Sequence, residues 1–369
     1  MNSKNILIIS PEPWDGHSVS KHHYAITLAN NGVKVYFLDP PKSDLKDIVV
    51  KETEFKNLYC VQSPKVAKGL QYMPKFIRNF LEAKWLNRLE TIINNNIDTI
   101  WLFENSRFYN MEFAGDRLKI YHQVDLNQNF HIKEASKSAD ICFCTTDYIL
   151  KEIQKYNKKV FKIHHGVALN SNLIDLTEEQ KNFFKKNKIN VAYIGNLGIK
   201  YLDYEILEKL VKNHPNILFH FIGGYEEEQS LRQRCKKYKN IIWWGKVKSN
   251  LIPSILSKVD ILLVAYKIFD EFSKKQLASP HKIMEYLLSG KVIVSTYLEE
   301  YKNKRDLIEM VDNPEDFIIK FNEVINNLDY FNSKDKQNIR IKFAKENTYI
   351  KKLKLIDKLV KQYTNKELL

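Results

Sequence analysis

Apolar residues along the chain gather in short runs, separated by helically spaced stretches and by clusters of turn residues. The first run, Asn5–Ser10, predicts a strand. Pro11-Glu12-Pro13-Trp14-Asp15-Gly16-His17 holds two prolines and a glycine and reads as a loop. Ser18 or Ser20 suits the cap of a helix running to about Asn30, which Asn31-Gly32 ends. Val33–Asp39 is a second strand, closed by Pro40-Pro41. A strand–helix–strand opening predicts a parallel, doubly wound sheet. Further runs at Thr99–Phe103, Lys119–Tyr121, Asp140–Cys144 and Val160–His164 extend it, with helices at about 75–95 and 146–156.

A second alternating series begins near residue 189. Strands are predicted at Ile189–Ile194, Ile217–Ile222, Ile241–Trp243, Asp260–Ala265 and Val292–Ser295. Helices are predicted at Tyr204–Asn213, Glu226–Tyr238, Leu251–Lys258 and Pro280–Ser289. The pattern gives an α/β protein of two Rossmann-like domains, 1–168 and 189–330. A polar linker, 169–188, joins them, and a helical tail, 331–369, follows. Two such sheets facing each other would leave a cleft at their strand C-termini, where ligands bind in open α/β folds. The tail is basic, with eleven Lys and Arg against four Asp and Glu.

The whole chain of 369 residues has 58 Lys and Arg against 44 Asp and Glu, a net charge of +14. That excess favours an anionic partner: a phosphorylated ligand, an acidic membrane surface or nucleic acid. The charge is spread over both halves with no recognisable nucleic-acid motif, so nucleic acid is not expected. Cysteines 60, 142, 144 and 235 form no CxxC pair and no zinc spacing, and are read as buried, reduced thiols. The apolar run Ile6–Ile9 is too short for a signal-peptide core, and no stretch approaches the ~20 residues that span a bilayer. A cytoplasmic protein is expected.

The densest chemistry lies in Ser279-Pro280-His281-Lys282-Ile283-Met284-Glu285-Tyr286. Ser279 suits the helix cap and Pro280 its first turn, while Gly290 ends the helix. Lys282 and Glu285, three apart, share a face near the N-terminus. A lysine at a helix N-terminus suits a diphosphate, and a carboxylate one turn on can accept two ribose hydroxyls. A surface Lys–Glu pair has the same spacing, and on spacing alone both readings stand.

This segment resembles the nucleotide-sugar motif of family 4-like glycosyltransferases, with pattern S-P-x-K-x-x-E-Y-x-x-x-G-K-x-V-V-S-T. The resemblance implies the GT-B fold, with a C-terminal helix returning to the N-terminal domain. It also implies that Lys282 contacts the donor diphosphate and Glu285 the ribose. Ala192-Tyr193-Ile194-Gly195-Asn196-Leu197 resembles the first strand and glycine turn of the family's second domain, which adds Gly195 and Asn196 to the donor site. Val259–Tyr266 resembles the strand before the donor helix and adds Tyr266; Ser279, Pro280 and His281 complete the set. Phe343–Tyr349 resembles the returning element. Two departures are visible: Ala168 replaces the aspartate of an interdomain G-V-D motif, and Leu277 stands where retaining members carry a glutamate.

The first domain is similar to bacterial teichuronic-acid and xanthan-type polysaccharide glycosyltransferases in Pro13-Trp14-Asp15-Gly16-His17 and in Tyr121-His122-Gln123-Val124-Asp125. Transfer to a hydroxyl without a covalent intermediate needs a base. Asp125 is the first candidate and His122 the rival; Asp125 as a simple cap or a hydroxyl binder is the alternative. Gly16 and His17 are candidates for acceptor or phosphate contact. No metal or other cofactor is expected, Lys282 and a helix dipole taking the cation's place.

Over Lys65–Glu90, six Lys and Arg interleave with Tyr72, Phe76, Phe80 and Trp85. This reads either as a core-facing aromatic stripe or as an amphipathic element on an anionic membrane, whose attraction weakens with salt. The expected activity is transfer of a sugar from a nucleotide diphosphate donor, UDP-linked, to a hydroxyl of a lipid-linked or growing surface glycan at the inner membrane face. The rivals are a GT-B epimerase or phosphorylase, a noncatalytic GT-B subunit and a basic nucleic-acid-binding protein.

Overall fold

Strands buried on both faces read as unbroken apolar runs, because helices cover each side of a parallel sheet. A computed structural model of the chain shows two such sheets. It describes residues 4–15, 19–125, 130–169, 173–199, 201–224, 231–268 and 281–369. The chain divides into two compact units, Met1–His165 with Tyr349–Leu369, and Gly166–Thr348.

The first unit is built on β1 (Asn5–Ile9), β2 (Lys34–Leu38), β3 (Val49–Glu52), β4 (Leu58–Gln62), β5 (Thr99–Leu102), β6 (Leu118–Gln123), β7 (Ile141–Cys144) and β8 (Val160–Lys162). Their order is β3-β4-β2-β1-β5-β6-β7-β8, parallel except for the edge hairpin β3–β4. β3 and β4 are absent from the sequence-based expectation: Val49-Val50-Lys51-Glu52 is an exposed edge with no apolar alternation to read. Helix Ser20–Asn30 follows β1, and helix Lys75–Ile93 precedes β5. The four cysteines are buried and unpaired. Burial raises the Cys60, Cys144 and Cys235 thiols to about 12, so they are inert protonated groups at neutral pH.

The second unit holds β9 (Asn190–Ile194), β10 (Leu218–Ile222), β11 (Ile241–Gly245), β12 (Ile261–Val264), β13 (Val292–Ser295) and β14 (Glu309–Met310). All are parallel, in the order β11-β10-β9-β12-β13-β14. The predicted helix over 226–238 is observed as Leu231–Arg234, residues 225–230 lying outside the described set.

The unit boundaries differ from those read in the sequence. Described residues of the expected linker pack along the second unit: Leu176 is buried in its core, Ile174 exchanges hydrogen bonds with Asn250 and Ser254, and Thr177 and Gln180 form a reciprocal cap on helix Glu178–Lys181. Helix Lys334–Glu346, expected to leave with the tail, also stays. Its Arg340, with no exposed surface, donates to the carbonyls of Gly290, Phe331 and Leu307. The return begins at Tyr349, where helix Tyr349–Thr364 buries Leu353, Ile356 and Val360 in the first unit.

The end of β9 fits only because two glycines meet. A Cβ on Gly223 would lie 1.8 Å from the Gly195 carbonyl oxygen, and Gly223 also has φ +142°. Gly223→Ala is therefore expected to cost more than about 3 kcal/mol and to collapse the second unit's melting transition. Gly32→Ala, strained in backbone (φ +86°) but in open space, should cost only about 1 kcal/mol. Thermal denaturation of the two variants side by side checks this; equal losses would refute the steric account.

Candidate active site

In a doubly wound sheet the strand order reverses at one point, and connections leaving the two strands there part to opposite faces. In the second unit that point lies between β9 and β12. The two strands pair only through Ile261–Val191 and Leu262–Ala192, then separate. The Ile194 N–H, which would meet a longer β12, instead donates to the Tyr286 hydroxyl at 2.7 Å. Thus helix Lys282–Ser289 is tied by its middle to the open end of β9.

Gly195 follows β9 with φ +147°, its N–H donating to the Ile222 carbonyl at 2.9 Å. A Cβ here would stand 3.1 Å from Lys282 Nζ and 3.3 Å from the Tyr193 hydroxyl, so the turn leaves room for the ammonium. Lys282 opens the helix. Its Nζ lies 3.6 Å from the Tyr193 ring centroid and 5.1 Å from that of Tyr266. The residue is only 9% exposed, and Nζ is buried without a hydrogen-bond partner among the described residues. Burial pulls its pKa well below the usual lysine value. Two ring faces hold this nitrogen, and among the described residues no carboxylate pairs with it, which suits a lysine that meets an anion when ligand arrives.

Glu285 lies one turn further on the same face and is half-buried. Burial pushes its carboxyl up to about 7. Lys282 and Glu285 thus carry no mutual ion pair, and the surface-pair reading does not describe them. Tyr266 closes β12: it is buried, its N–H donates to Thr296 Oγ1 at 3.0 Å, and it bridges to Leu202. Asn196 is exposed in the turn, its Oδ1 accepting from the Gly198 N–H at 2.9 Å. His281 is half-buried, and its carbonyl accepts from the Met284 N–H at 3.4 Å. Ser279 and Pro280 lie outside the described residues, as does Leu277. Tyr193 and Tyr286, which hold the lysine and the strand end, were passed over in the sequence because a tyrosine in an apolar run reads as core.

In the first unit, Asp125 stands exposed just past β6, its carbonyl accepting from Gln123 Nε2 at 3.2 Å. His122 does not stand with it. The ring is buried between Trp101, Phe103, Tyr24 and Phe143, with Phe103 at 4.9 Å. Burial lowers its pKa to about 3, so it is a neutral ring of the core layer and not a base presented to solvent. Alternation along β6 explains this, since an inward residue cannot also reach the strand's solvent end. Gly16 and His17 lie outside the described residues. Among the described residues no cluster of three or more His, Cys, Asp or Glu could hold a metal ion, and no helix is long and apolar enough to cross a membrane.

Residues 188–327, within the second unit, match the family described as Glycosyl transferases group 1. A curated relative is the candidate teichuronic acid biosynthesis glycosyltransferase TuaH of Bacillus subtilis (strain 168), 26% identical over 197 residues. That match covers 51% of this chain and about half, 49%, of the relative. Among solved structures, WaaG, a glycosyltransferase involved in lipopolysaccharide biosynthesis, superposes with a TM-score of 0.62 at 15% identity, over 96% of this chain and 99% of that one. Anabaena HepE, in complex with UDP and glucose, gives 0.67 at 12% identity, over 96% and 98%. At such identities the likeness shows the fold, which is GT-B.

Because Lys282 is desolvated and has no partner among the described residues, Lys282→Met should stabilise the ligand-free protein. A folded-state pKa below the unfolded one means the lysine's contribution is present above the unfolded value of 10.5 and is lost as pH falls. The gain from the methionine should therefore be visible at pH 7 and vanish near pH 11. About 2–4 °C per kcal/mol is expected for a unit of this size. Calorimetric melting at both pH values checks it; a less stable variant at pH 7 would refute the reading.

Proposed function

We propose that this chain is a glycosyltransferase that takes a sugar from a nucleotide diphosphate donor, UDP-linked, and passes it to a hydroxyl of a lipid-linked or growing surface glycan. The observation that carries the reading is the buried Lys282 nitrogen, without a partner among the described residues and held over Tyr193 at the reversal point of the second sheet. A diphosphate would supply a counter-charge to it. The family match over 188–327 and the UDP complex of a protein with the same fold support a nucleotide-sugar as the ligand.

In this reading the donor's diphosphate lies against Lys282, the first turn of its helix and the Gly195–Asn196 turn. Glu285, once ionised, accepts the ribose hydroxyls. The bond from the sugar's anomeric carbon to the diphosphate oxygen breaks, and Lys282 with the helix N-terminus stabilises the charge that develops on the leaving group. The acceptor hydroxyl forms the new bond and gives its proton to Asp125. No metal is assigned to the site, the ammonium supplying the positive charge. Gly16 and His17, which follow β1 in the sequence, are proposed to contact the acceptor or its phosphate.

Acceptors anchored in a bilayer require the enzyme at its surface. Tyr72, Phe76 and Phe80 are 85%, 73% and 63% exposed along helix Lys75–Ile93 and the turn before it. Lys68, Lys75 and Lys84 accompany them. Trp85 alone of the four aromatics faces the core, at 8% exposure. We assign this face to an anionic membrane, and the site of action to the inner side of the cytoplasmic membrane.

Titration against UDP, GDP, ADP, CMP and dTDP by thermal shift is the direct test. One of them should stabilise the protein by about 2.7 kcal/mol at 100 times its dissociation constant. Glu285→Ala should weaken that binding at least tenfold. No shift with any of them would remove the donor assignment. Separately, Phe76→Ser with Phe80→Ser should cut binding to vesicles containing anionic phospholipid more than fivefold, and 0.5 M salt should weaken the wild type; unchanged binding would remove the membrane assignment.

A further inference from the structure

A cavity of about 210 Å³ opens in the first unit at the C-terminal ends of β2 and β4. The lysine site is built from residues of the second unit, and this cavity from residues of the first. Leu38, Pro64, Val66, Trp85 and Phe108 make its apolar wall. Trp85 is fixed there: its indole N–H donates to Ser63 Oγ at 2.9 Å, and its ring packs 5.7 Å from Phe108.

Three cations line the same cavity, and they are not alike. Arg107 has its donors spent on Glu104 Oε2 and on the carbonyls of Asp39 and Ser10, each at 2.8 Å, so it belongs to the wall. Arg78 lies with its guanidinium 4.2 Å from the Tyr109 ring centroid. Its Nε is buried without a hydrogen-bond partner, and no carboxylate stands within ion-pair distance of it among the described residues. Glu82, one turn on, is buried and feels the Arg78 charge without a hydrogen bond to it; burial pushes its carboxyl up to about 8, so at neutral pH it is no counter-ion. Lys65 is exposed, lines the same cavity and likewise makes no ion pair among those residues. The cavity therefore combines positive charge that is unpaired among the described residues with an apolar wall at Val66, Trp85 and Phe108.

That combination selects an anion attached to an apolar chain. An isolated phosphate would leave the Trp85 end empty, and a neutral lipid would leave Arg78 desolvated and unpaired. The volume holds a phosphate and the first carbons of a chain, not a whole lipid. The rim at Leu70 runs directly into Tyr72 and Phe76, the exposed aromatics, so a longer chain has an apolar path out.

We propose that this cavity binds the phosphate of an amphiphilic lipid phosphate, with the phosphate on Arg78 and Lys65 and the first part of its chain against Val66, Trp85 and Phe108. Naming that lipid phosphate the acceptor rests on the transferase reading; the binding does not. The probe is farnesyl phosphate below its micelle concentration, titrated calorimetrically into the full chain, with farnesol and inorganic phosphate as the two half-ligands. Wild type should bind farnesyl phosphate at least tenfold more tightly than either half-ligand. Arg78→Gln should lose at least tenfold, and Arg78→Lys should recover only part, since the planar fork is gone. Equal binding of inorganic phosphate and farnesyl phosphate would make this a free-phosphate site. Equal binding of farnesol, or indifference to Arg78→Gln, would make it an apolar groove; either result overturns the proposal, as does no binding. UDP titrated into the same samples separates the two readings. Farnesyl phosphate binding that depends on Arg78, with no response to UDP, would sink the donor assignment and leave the cavity standing. An unchanged far-ultraviolet circular dichroism spectrum and melting profile of Arg78→Gln shows that the variant is folded.

Discussion

The separation of β9 from β12 governs the second unit's chemistry. Parallel strands that stayed paired to their ends would consume the Ile194 N–H and fill the space beyond it. Here β12 stops pairing after Leu262, and the Tyr286 hydroxyl takes the hydrogen bond. One side chain thereby satisfies a buried backbone donor and fixes the helix whose first residue is Lys282. The helix is held at its other end as well. Arg340 bonds the Gly290 carbonyl, and Ile341 and Gln337 pack so near Gly290 that a Cβ there would stand 3.0 Å from one and 3.2 Å from the other. A helix of eight residues has little stability of its own, so these two anchors, not propensity, place it.

Placing Lys282 this way has a thermodynamic consequence. A desolvated ammonium and a carboxyl raised to about 7 both oppose folding at neutral pH. Glu285 alone contributes stability that is full below the ordinary carboxyl value of 4.5 and lost as pH rises through about 7. The ring faces of Tyr193 and Tyr266 recover part of the lysine's penalty, but a ring quadrupole is a weak substitute for an anion. Sites in this condition gain more from a ligand's charge than solvated ones, because nothing has to be displaced from the nitrogen first.

Much of this was legible in the sequence, and the parts that were not share a cause. Periodicity located β1, β2, β5 to β13 and the Tyr204–Asn213 helix, since buried parallel strands are continuous apolar runs. It missed β3 and β4, where an antiparallel edge hairpin needs only a ladder, and β14, which is two residues long. The motif identified Lys282 and Glu285, whose spacing is local. It could not show that the lysine is unpartnered, because that depends on Tyr193 and Gly195, some ninety residues earlier. His122 was misread for the same reason. Its chemistry suggested a base, while its burial is decided by Trp101, Phe103 and Phe143 on neighbouring strands. The break between tail and second unit was placed too early because Arg340, a polar residue in a basic stretch, gave no sign of its buried role.

The first unit repeats the logic of the second with a different balance. At the ends of β2 and β4, as at the end of β9, a cation lies beside an aromatic ring with no ion pair among the described residues: Arg78 over Tyr109 there, Lys282 over Tyr193 here. The difference lies in the surroundings. Lys282 is enclosed by backbone turns and a helix N-terminus, which favour a compact polyanion. Arg78 is enclosed by Trp85, Phe108 and Val66, and its helix continues into a row of exposed aromatics. Isolated surface aromatics are ordinary, but two on helix Lys75–Ile93 and one in the turn before it, beside a cationic, apolar-backed cavity, are not an average surface. Charge and apolar area interleaved in this way match a molecule that carries an anion on an apolar chain.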